Sequence, residues 1–541
     1  MGDELLSYYH KSVKKSWKIA FLSAVIVGFL VHTYKFTNNF PYFDSYYNFY
    51  SSQYMVASGR WFLSAACALS SYFDLPWLVG IFSILYMALT AAAVTEVFRM
   101  ENPCLIAVSS ALLVSFPAIT ETMFFEYTAD GYMLAMFLAA LSVCCSRMEH
   151  LGNWKYLGVS GVCLCLTCGI YQCYLAFAFI LAVCYLIGKL LDGDVDNKTC
   201  LRWVGVHAIL YGSALILYYV IWKGLLNYHG FSAVAYQGLD QMGVLNGGHL
   251  LRAVLSSIQS FVGFLMERNP LQHGWTVYSA LSCLTCAVFF LMFVLGCLKG
   301  KLYQRKLQLF LSVLCLAAVP FGCYICYFST PNVTYTTRMV QCIVVLFIFT
   351  GVLCQRWMNC RGKNLVLLLL IAVALKNSVM ANVCYTFLDR SFEKSYANMT
   401  EIATRIHMED DGTAKYIVFL GSFDVPFQDA ELDNSQLGTL GPLKLVSKAP
   451  VIDHDHMALF LSQYTGFTLS YYRIHQEEFP LMEISDADPV PHGYTFRFPL
   501  LEEERKTALS SSAEVAAMGI WPARDSVKCI GDTIVVKLSE N

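Results

Sequence analysis

The sequence predicts an α-helical polytopic membrane protein with a small C-terminal α/β domain. Of its 541 residues, 57% are hydrophobic and only 14% are charged, and the mean hydropathy is +0.51. A soluble domain has about 25% charged residues, so a large soluble enzyme, a disordered protein and a nucleic-acid-binding protein are excluded. Basic side chains outnumber acidic ones over residues 1–386, whereas acidic ones dominate residues 387–541, which contain a single cysteine, Cys529. We therefore expect a multi-span membrane domain at 1–386 and an acidic domain at 387–541.

The membrane region contains apolar runs of the length that a membrane-spanning helix needs, which is about 20 residues. We predict eleven spans, near residues 19–35, 77–98, 104–120, 131–146, 156–171, 173–188, 203–222, 277–298, 307–326, 339–354 and 365–386. The fifth and sixth runs meet at Tyr171 and Gln172, where a tight hairpin is expected. The first run ends in polar residues rather than in a cleavage site of small residues, which indicates an uncleaved anchor.

Lysine and arginine side chains give the predicted orientation, because they are enriched in short cytoplasmic loops. When the N-terminus is placed in the cytoplasm, every inner loop is basic, including those at 299–306 and 356–363. An odd number of spans then places residues 387–541 outside. The sequence therefore predicts a multi-pass protein of the cytoplasmic membrane with a cytoplasmic N-terminus and an extracytoplasmic C-terminal domain.

Three long or polar loops lie on the predicted outer side. The first, at 36–76, is rich in tyrosine, and the second, at 121–130, is short and acidic. The third, at 224–276, contains a predicted helix at 249–267 with leucines on one face and polar residues opposite, which is typical of a helix lying on a membrane surface. Acidic residues avoid the middle of the spans, so we expect a reaction centre at the outer membrane boundary.

The C-terminal region alternates predicted helices and strands. We predict helices at 393–408, 456–464 and 501–517 and strands at 415–423 and 532–538, which together indicate an α/β domain. Its single cysteine excludes an internal disulfide framework. It contains no glycine-rich phosphate loop and no nucleophile elbow, so it predicts no chemistry of its own.

Sugar transfer from a polyprenyl phosphate suits a site at this boundary, because the lipid of the donor stays in the bilayer while its head group reaches the surface. The reaction needs a carboxylate that takes the proton of the acceptor hydroxyl and a guanidinium that binds the phosphate. Asp44 and Arg60 share the aromatic first loop and are the first candidates. The predicted catalytic residues are Asp44, Glu126 and Asp130, and the predicted substrate-binding residues are Arg60, Trp61, Tyr46, Tyr127, Gln172 and Arg338.

Several of these residues also have a structural interpretation. Asp44 could cap a helix at 45–57, and Glu126 and Asp130 could cap the fourth span, since acidic side chains favour helix N-termini. Arg60 could instead anchor the loop by extending its guanidinium to the membrane surface. The sequence leaves these alternatives open.

The membrane region resembles one family in four places: Asp44, Ser58-Gly59-Arg60-Trp61, FPAITETMFFEYTADGYMLA at 116–135, and GIYQCYLAF at 169–177. This is the type II glucosyltransferase family, which modifies the O-antigen and other surface polysaccharides of bacteria and is of the GT-C type. The resemblance covers residues 1 to about 386 and implies a GT-C-like membrane fold. It further implies transfer of glucose from a polyprenyl-phosphate donor to a glycan acceptor outside the cytoplasmic membrane, with Asp44 as the first-loop acid.

The resemblance implies three partners: a polyprenyl-phosphate-linked sugar donor, a glycan acceptor and the lipid bilayer. Many family members carry two adjacent acids where this chain has Phe43-Asp44, which leaves a divalent metal open as a cofactor. A lipid-linked sugar flippase or other transporter, and a non-catalytic polysaccharide assembly protein, are the alternatives from other classes. The discriminating observation is whether Asp44, Arg60 and the acids of the second loop face one cavity.

Overall fold

The computed structural model describes residues 13–42, 44–48, 51–70, 73, 75–193, 195–241, 247–267, 274–330, 332–410, 412–421, 441–443, 457–465 and 503–540. Its long helices are α1 (Lys15–Thr37), α2 (Pro76–Phe98), α3 (Pro103–Ser115), α4 (Ala129–Cys145), α5 (Trp154–Ile170), α6 (Leu175–Asp192), α7 (Asn197–His229), α8 (Gly247–Met266), α9 (Val277–Lys299), α10 (Lys306–Cys323), α11 (Ile343–Trp357) and α12 (Cys360–Glu409). Short helices and 3₁₀ turns connect them at Ser45–Asn48, Val56–Ser58, Leu63–Ala66, Pro117–Thr122, Met148–His150, Gln172–Tyr174, Tyr236–Gln241, Leu302–Gln304, Ile325–Phe328 and Thr337–Val340.

The long helices make this chain a polytopic helical membrane protein. Within the described residues, nine helices are long and apolar enough to cross a membrane by length and composition. Helices α3, α4 and α5 are also apolar but have only 13, 17 and 17 residues. Each of the predicted apolar runs overlaps one of the long helices, while the total of eleven spans stays a prediction.

Proline residues determine where several helices begin. Pro76 and Pro103 occupy the first turns of α2 and α3, where the missing N–H of proline breaks no helical hydrogen bond. Pro117 begins the next short helix and keeps the preceding Phe116 in extended backbone, with φ −63° and ψ 140°. The prediction of one continuous run at 104–120 is therefore wrong, because the helix breaks at Phe116.

The helices differ in how much of their surface other helices cover. Helices α6 and α11 are buried on nearly all sides and form the centre of the bundle. The outer helix α7 instead exposes Ile209, Ile216 and Val220. An exposed apolar face along a helix of 33 residues indicates contact with lipid.

Helix α8 corresponds to the helix predicted to lie on the membrane surface. Its small residues Ala253 and Ser257 are buried against the protein, whereas Leu251 and Leu255 are exposed. The exposed leucines require an apolar surrounding whether the helix lies on the bilayer or crosses it. The placement of α8 relative to the membrane therefore stays a prediction.

Helix α12 has 50 residues and continues without a break through residue 387, where the sequence predicts a domain boundary. Asn359 caps its start by accepting a hydrogen bond from the N–H of Gly362 at 2.9 Å. The helix predicted at 393–408 is thus the second half of α12 rather than a separate element. The division into two domains stays a prediction.

The C-terminal region adds a three-stranded sheet to the helices. Strand β1 (Tyr416–Leu420) is parallel to the central strand β3 (Thr533–Lys537), and β2 (Val527–Ile530) is antiparallel to it. Strands β1 and β3 confirm the two predicted strands, and β2 is an addition. The described helices are Met457–Tyr464, Glu503–Ser510 and Ala513–Ala516, so the predicted helix at 501–517 is divided in two.

Helix α12 connects the sheet to the bundle. Ile534 and Val536 of β3 belong to the same buried apolar cluster as Met399 and Ile402 in the second half of α12. Trp521 also donates a hydrogen bond from its indole Nε1 to Asn398 at 3.2 Å. The sheet therefore packs directly on the extension of a membrane helix.

Candidate active site

Hydrogen bonds join four loops at one end of the helix bundle. The N–H of Phe62 in the first outer loop donates to the C=O of Gly169 at the end of α5, at 2.8 Å. The N–H of Arg338, in the turn before α11, donates to the carboxylate of Glu121 in the second loop, at 3.0 Å. The predicted site residues lie in or beside these loops.

The turn that carries Arg60 requires glycine at position 59. Gly59 ends a 3₁₀ turn with φ +78°, and the N–H of Arg60 donates to the C=O of Met55 at 3.1 Å. A Cβ atom on residue 59 would lie 2.4 Å from the Tyr218 hydroxyl and 2.5 Å from Nε2 of Gln172. Both the backbone angle and the close approach therefore need glycine.

The Arg60 side chain extends between two tyrosines. Its Nη1 donates to the Tyr132 hydroxyl at 3.1 Å, and its guanidinium carbon lies 4.4 Å from the centre of the Tyr171 ring. Among the described residues, the buried Nε of Arg60 has no hydrogen-bond partner and no carboxylate forms an ion pair with the guanidinium. A partly desolvated guanidinium that forms no ion pair is suited to binding an anion.

Asp44 lies in the electrostatic field of two arginines. It is partly buried and precedes the short helix Ser45–Asn48. Its backbone C=O accepts a hydrogen bond from Nδ2 of Asn48 at 2.7 Å, which ties the residue to that helix. Burial raises the pKa of Asp44, while Arg338 and Arg60 favour its charged form and oppose this shift.

Arg338 is held by Glu121 and by an aromatic ring. Its Nη1 lies 3.4 Å from a carboxylate oxygen of Glu121, and its guanidinium carbon lies 4.0 Å from the centre of the Phe125 ring. Burial raises the pKa of Glu121, and the charge of Arg338 opposes that shift. Glu121 therefore fixes the position of Arg338 and neutralises part of its charge.

Tyr127 of the second loop interacts electrostatically with Asp44. Burial raises the pKa of its phenol, and the negative charge of Asp44 raises it further. The phenol therefore stays protonated near neutral pH and can donate a hydrogen bond. Asp44, Arg60, Tyr127 and Arg338 thus form one group of polar side chains, which we call the Asp44 cluster.

A small cleft opens beside Arg60. The α5–α6 hairpin, the third outer loop and the segment before α11 form its walls. The lining includes Arg60, Tyr171, Gln172, Gln237, Thr330 and Met339.

The family described as Glucosyl transferase GtrII matches residues 33–353, which is more than half of the chain. The chain belongs to the GtrII family of glucosyltransferases. The matched region contains all four residues of the Asp44 cluster, and the predicted resemblance to type II glucosyltransferases is confirmed. Comparisons with curated proteins and with solved structures give no match.

Two carboxylates predicted to be catalytic have other partners in this GtrII protein. Glu126 forms a buried ion pair with Lys35 at the end of α1. Asp130 lies in the first turn of α4, where it accepts hydrogen bonds from the Ser70 hydroxyl at 2.6 Å and from the N–H of Gly131 at 2.9 Å. Both carboxylates therefore connect loops and helices, which favours the structural interpretation of these two residues.

The Lys35–Glu126 pair leads to a stability prediction. The Nζ of Lys35 also donates to the C=O of Phe40 at 3.0 Å, on the segment that leads to Asp44. We expect Lys35→Met to cost about 3–5 kcal/mol, because it leaves a buried carboxylate without its counter-charge. The check is the thermal-unfolding midpoint in detergent. Adding Glu126→Gln removes both charges and should recover most of the loss, and a double variant no more stable than the single one would contradict the pairing.

Two aromatic residues predicted to bind substrate pack away from the cleft. The Tyr46 ring centre lies 5.6 Å from that of Phe460 and 5.9 Å from that of Tyr464, both in the C-terminal region. Trp61 covers Gly169, where an added Cβ would lie 2.8 Å from the indole ring. Both residues thus pack against the loops of the GtrII site on the side away from the cleft.

Gln172 both lines the cleft and holds the Arg60 turn. Its Nε2 donates to the C=O of Ser58 at 3.0 Å and to the Tyr218 hydroxyl at 2.8 Å. The site also contains Tyr132, which the sequence prediction does not include, and Glu121 and Tyr171, which it does not place among the catalytic or substrate-binding residues. Their proximity to Arg60 and Arg338 depends on how the loops pack, although the polar Tyr171-Gln172 pair between two apolar runs is a visible signal.

Among the described residues of this GtrII protein, no group of three or more His, Cys, Asp or Glu side chains could hold a metal ion. The Asp44 cluster itself offers one carboxylate, two guanidinium groups and one phenol. These groups can accept a proton, bind an anion and donate a hydrogen bond.

Proposed function

We propose that this protein transfers a glucosyl residue from a polyprenyl-phosphate donor to a hydroxyl group of a surface glycan at the outer face of the cytoplasmic membrane. Membership of the GtrII family supports glucosyl transfer. The observation that supports the rest is the carboxylate of Asp44 in the field of Arg60 and Arg338. The carboxylate can accept the proton of the acceptor hydroxyl, and the guanidinium groups can bind the phosphate of the donor.

In the proposed reaction, the acceptor oxygen attacks the anomeric carbon of the sugar while the bond from that carbon to the phosphate oxygen breaks. The proton of the acceptor hydroxyl passes to Asp44, and the electron pair of the broken bond stays on the phosphate. Asp44 starts the reaction deprotonated, a state that the two arginines favour against the effect of burial. A phosphate is a good leaving group, so no general acid is required.

Arg60 and Arg338 are proposed to bind the donor phosphate together. The two guanidinium groups are close enough to repel each other, and a phosphate between them relieves that repulsion. Glu121 fixes Arg338, while Arg60 keeps an unused Nε beside the cleft. Their attraction for the phosphate grows as negative charge develops on it in the transition state, which is the condition for catalysis.

The lipid chain of the donor is proposed to stay in the bilayer beside the bundle, where the outer helices expose apolar side chains. The Asp44 cluster lies in loops between helix ends, whereas coupled transporters bind their substrates near the middle of the membrane. This placement favours a surface transferase over a lipid-linked sugar flippase. The glucosyltransferase family favours it over a non-catalytic assembly protein.

The proposed orientation predicts which cysteines an impermeant maleimide labels. Cys529 in β2 is partly exposed and is expected outside, whereas Cys104 and Cys360 are exposed at the ends of α3 and α12 that are expected inside. Right-side-out vesicles should therefore give a labelled Cys529 peptide, and the other two peptides should be labelled only after lysis. The reverse pattern would place the Asp44 cluster in the cytoplasm and contradict the proposed site of reaction.

The direct test of the function is consumption of the donor. We expect the purified protein in lipid nanodiscs to convert undecaprenyl-phosphate glucose to undecaprenyl phosphate when a surface polysaccharide is present, as measured by mass spectrometry. The galactose and mannose donors are the matched controls for the sugar, and a nucleotide-activated glucose is the control for the lipid phosphate. Turnover of the nucleotide sugar with none of the lipid donors would contradict the proposed donor class.

A further inference from the structure

We propose that the C-terminal region, which lies beyond the family match, is a positioning element of the active site. The match ends at residue 353, and Gly441–Leu443 and Met457–Tyr464 lie well beyond it. These two segments contact the two turns that carry Arg338 and Asp44. The inference rests on the proposed roles of Asp44 and Arg338 and extends them to a part of the chain without an assigned role.

The segment Gly441–Leu443 contacts the turn that carries Arg338. The hydroxyl of Thr337, the residue before Arg338, donates to the C=O of Pro442 at 2.9 Å. Gly441 lies so close to the bundle that an added Cβ would be 2.8 Å from the sulfur of Met380. The same Cβ would be 3.1 Å from the Tyr278 ring, so this segment is wedged between α9, α12 and the Arg338 turn.

The helix Met457–Tyr464 contacts the turn that carries Asp44. Tyr46, two residues after Asp44, is fully buried between the rings of Phe460 and Tyr464. Phe392 of α12 packs against the same two rings, with ring centres 5.8 and 5.3 Å away. This aromatic cluster therefore ties the short helix after Asp44 to the extension of α12.

The two contacts act on the geometry of the reaction rather than on its chemistry. Neither C-terminal segment contributes a charged group to the Asp44 cluster, so both act through the turns that they hold. The backbone C=O of Asp44 accepts a hydrogen bond from Nδ2 of Asn48 at 2.7 Å, so the position of Asp44 depends on the short helix that Tyr46 anchors. A displacement of about 1 Å at a reacting group can cost about 10²-fold in rate.

The experiment compares two aromatic residues of the C-terminal region in the full-length protein. Phe460→Ala removes the contact behind Tyr46. Trp521→Ala removes a ring that packs on Arg405 of α12 at 4.4 Å, away from the Asp44 cluster. We expect Phe460→Ala to lower kcat about 10-fold or more with little change in the donor KM, because the phosphate contacts remain. Trp521→Ala should lower the unfolding midpoint and leave kcat unchanged, and Phe460→Leu should restore most of the lost rate.

Hydrogen exchange of residues 44–48 gives a readout that does not depend on the donor. Phe460→Ala should speed exchange there, and Trp521→Ala should not. An unchanged kcat and unchanged exchange in Phe460→Ala would overturn the inference, as would an equal fall of kcat in both variants. If Phe460→Ala does not fold, Tyr464→Ala, which removes the other ring beside Tyr46, decides the same comparison. A wild-type protein that uses no lipid-linked donor would overturn the proposed function, and the exchange comparison would then decide whether the C-terminal segments hold the loop.

Discussion

Replacing Asp44 by asparagine is expected to reduce sugar transfer by about 10²–10⁴-fold, the usual contribution of a positioned general base. Asparagine keeps the size of the side chain and its hydrogen-bonding capacity but cannot take the proton of the acceptor hydroxyl. The donor phosphate is proposed to contact Arg60 and Arg338, so the affinity for the donor should change little. The measurement is single-turnover transfer from undecaprenyl-phosphate glucose, together with direct binding of the donor.

The pH dependence of the wild-type enzyme should report the same group. Asp44 acts in its deprotonated form, so kcat/KM should fall as the pH is lowered through its pKa. Burial raises that pKa, so the fall should occur at higher pH than for an exposed aspartate, whose pKa is about 3.9. The residual activity of Asp44→Asn should lack this acidic limb.

Glu126→Gln and Asp130→Asn are the matched controls for Asp44→Asn, since each removes one carboxylate charge near the same loops. Their contacts with Lys35 and Ser70 predict a loss of stability, with much smaller effects on the rate per folded molecule. If Asp44→Asn transferred sugar at the wild-type rate while one of the controls abolished transfer, the base would belong to the second loop instead.

The helices could be predicted from the sequence because the length and apolar composition of a span are local properties. The break at Phe116 follows from Pro117, which is visible in the sequence but lies within a continuous apolar run. The continuation of α12 through residue 387 could not be predicted from charge, because a change from apolar to charged residues does not end a helix. Only packing against β3 and the rest of the tail shows how far that helix continues.

The types of polar residue in the site could be predicted from the sequence, but the partner of each residue could not. The sequence indicates acidic residues at the outer boundary, and the structure brings Asp44 together with Arg60, Tyr127 and Arg338. The sequence does not reveal that Lys35, 91 residues away, neutralises Glu126. A counter-charge at such a sequence distance depends on helix packing, so a loop acid with a partner and one without look the same in the sequence.

Arg60→Lys is expected to lower kcat/KM for the lipid-linked donor by about 10²-fold, comparable to removal of one donor from an oxyanion hole. Lysine keeps the positive charge but loses the planar group that lies over Tyr171 and donates to Tyr132. It also lacks the Nε that is buried without a partner beside the cleft. The loss should fall mainly on kcat, because charge on the phosphate is greatest in the transition state.

Arg356→Lys is the matched control for this change, since Arg356 pairs with Asp192 away from the Asp44 cluster. We expect it to transfer sugar at nearly the wild-type rate, because that pair touches neither the donor nor the acceptor in the proposed reaction. Arg60 either binds the phosphate or anchors the loop at the membrane surface, and inhibition by the product undecaprenyl phosphate separates these two interpretations. If Arg60 binds the phosphate, Arg60→Lys should weaken this inhibition. If Arg60 is only a membrane anchor, the inhibition should not change. Unchanged turnover and unchanged product inhibition in Arg60→Lys would identify Arg60 as an interface anchor. Arg338 would then be the one arginine of the Asp44 cluster that is proposed to bind the phosphate.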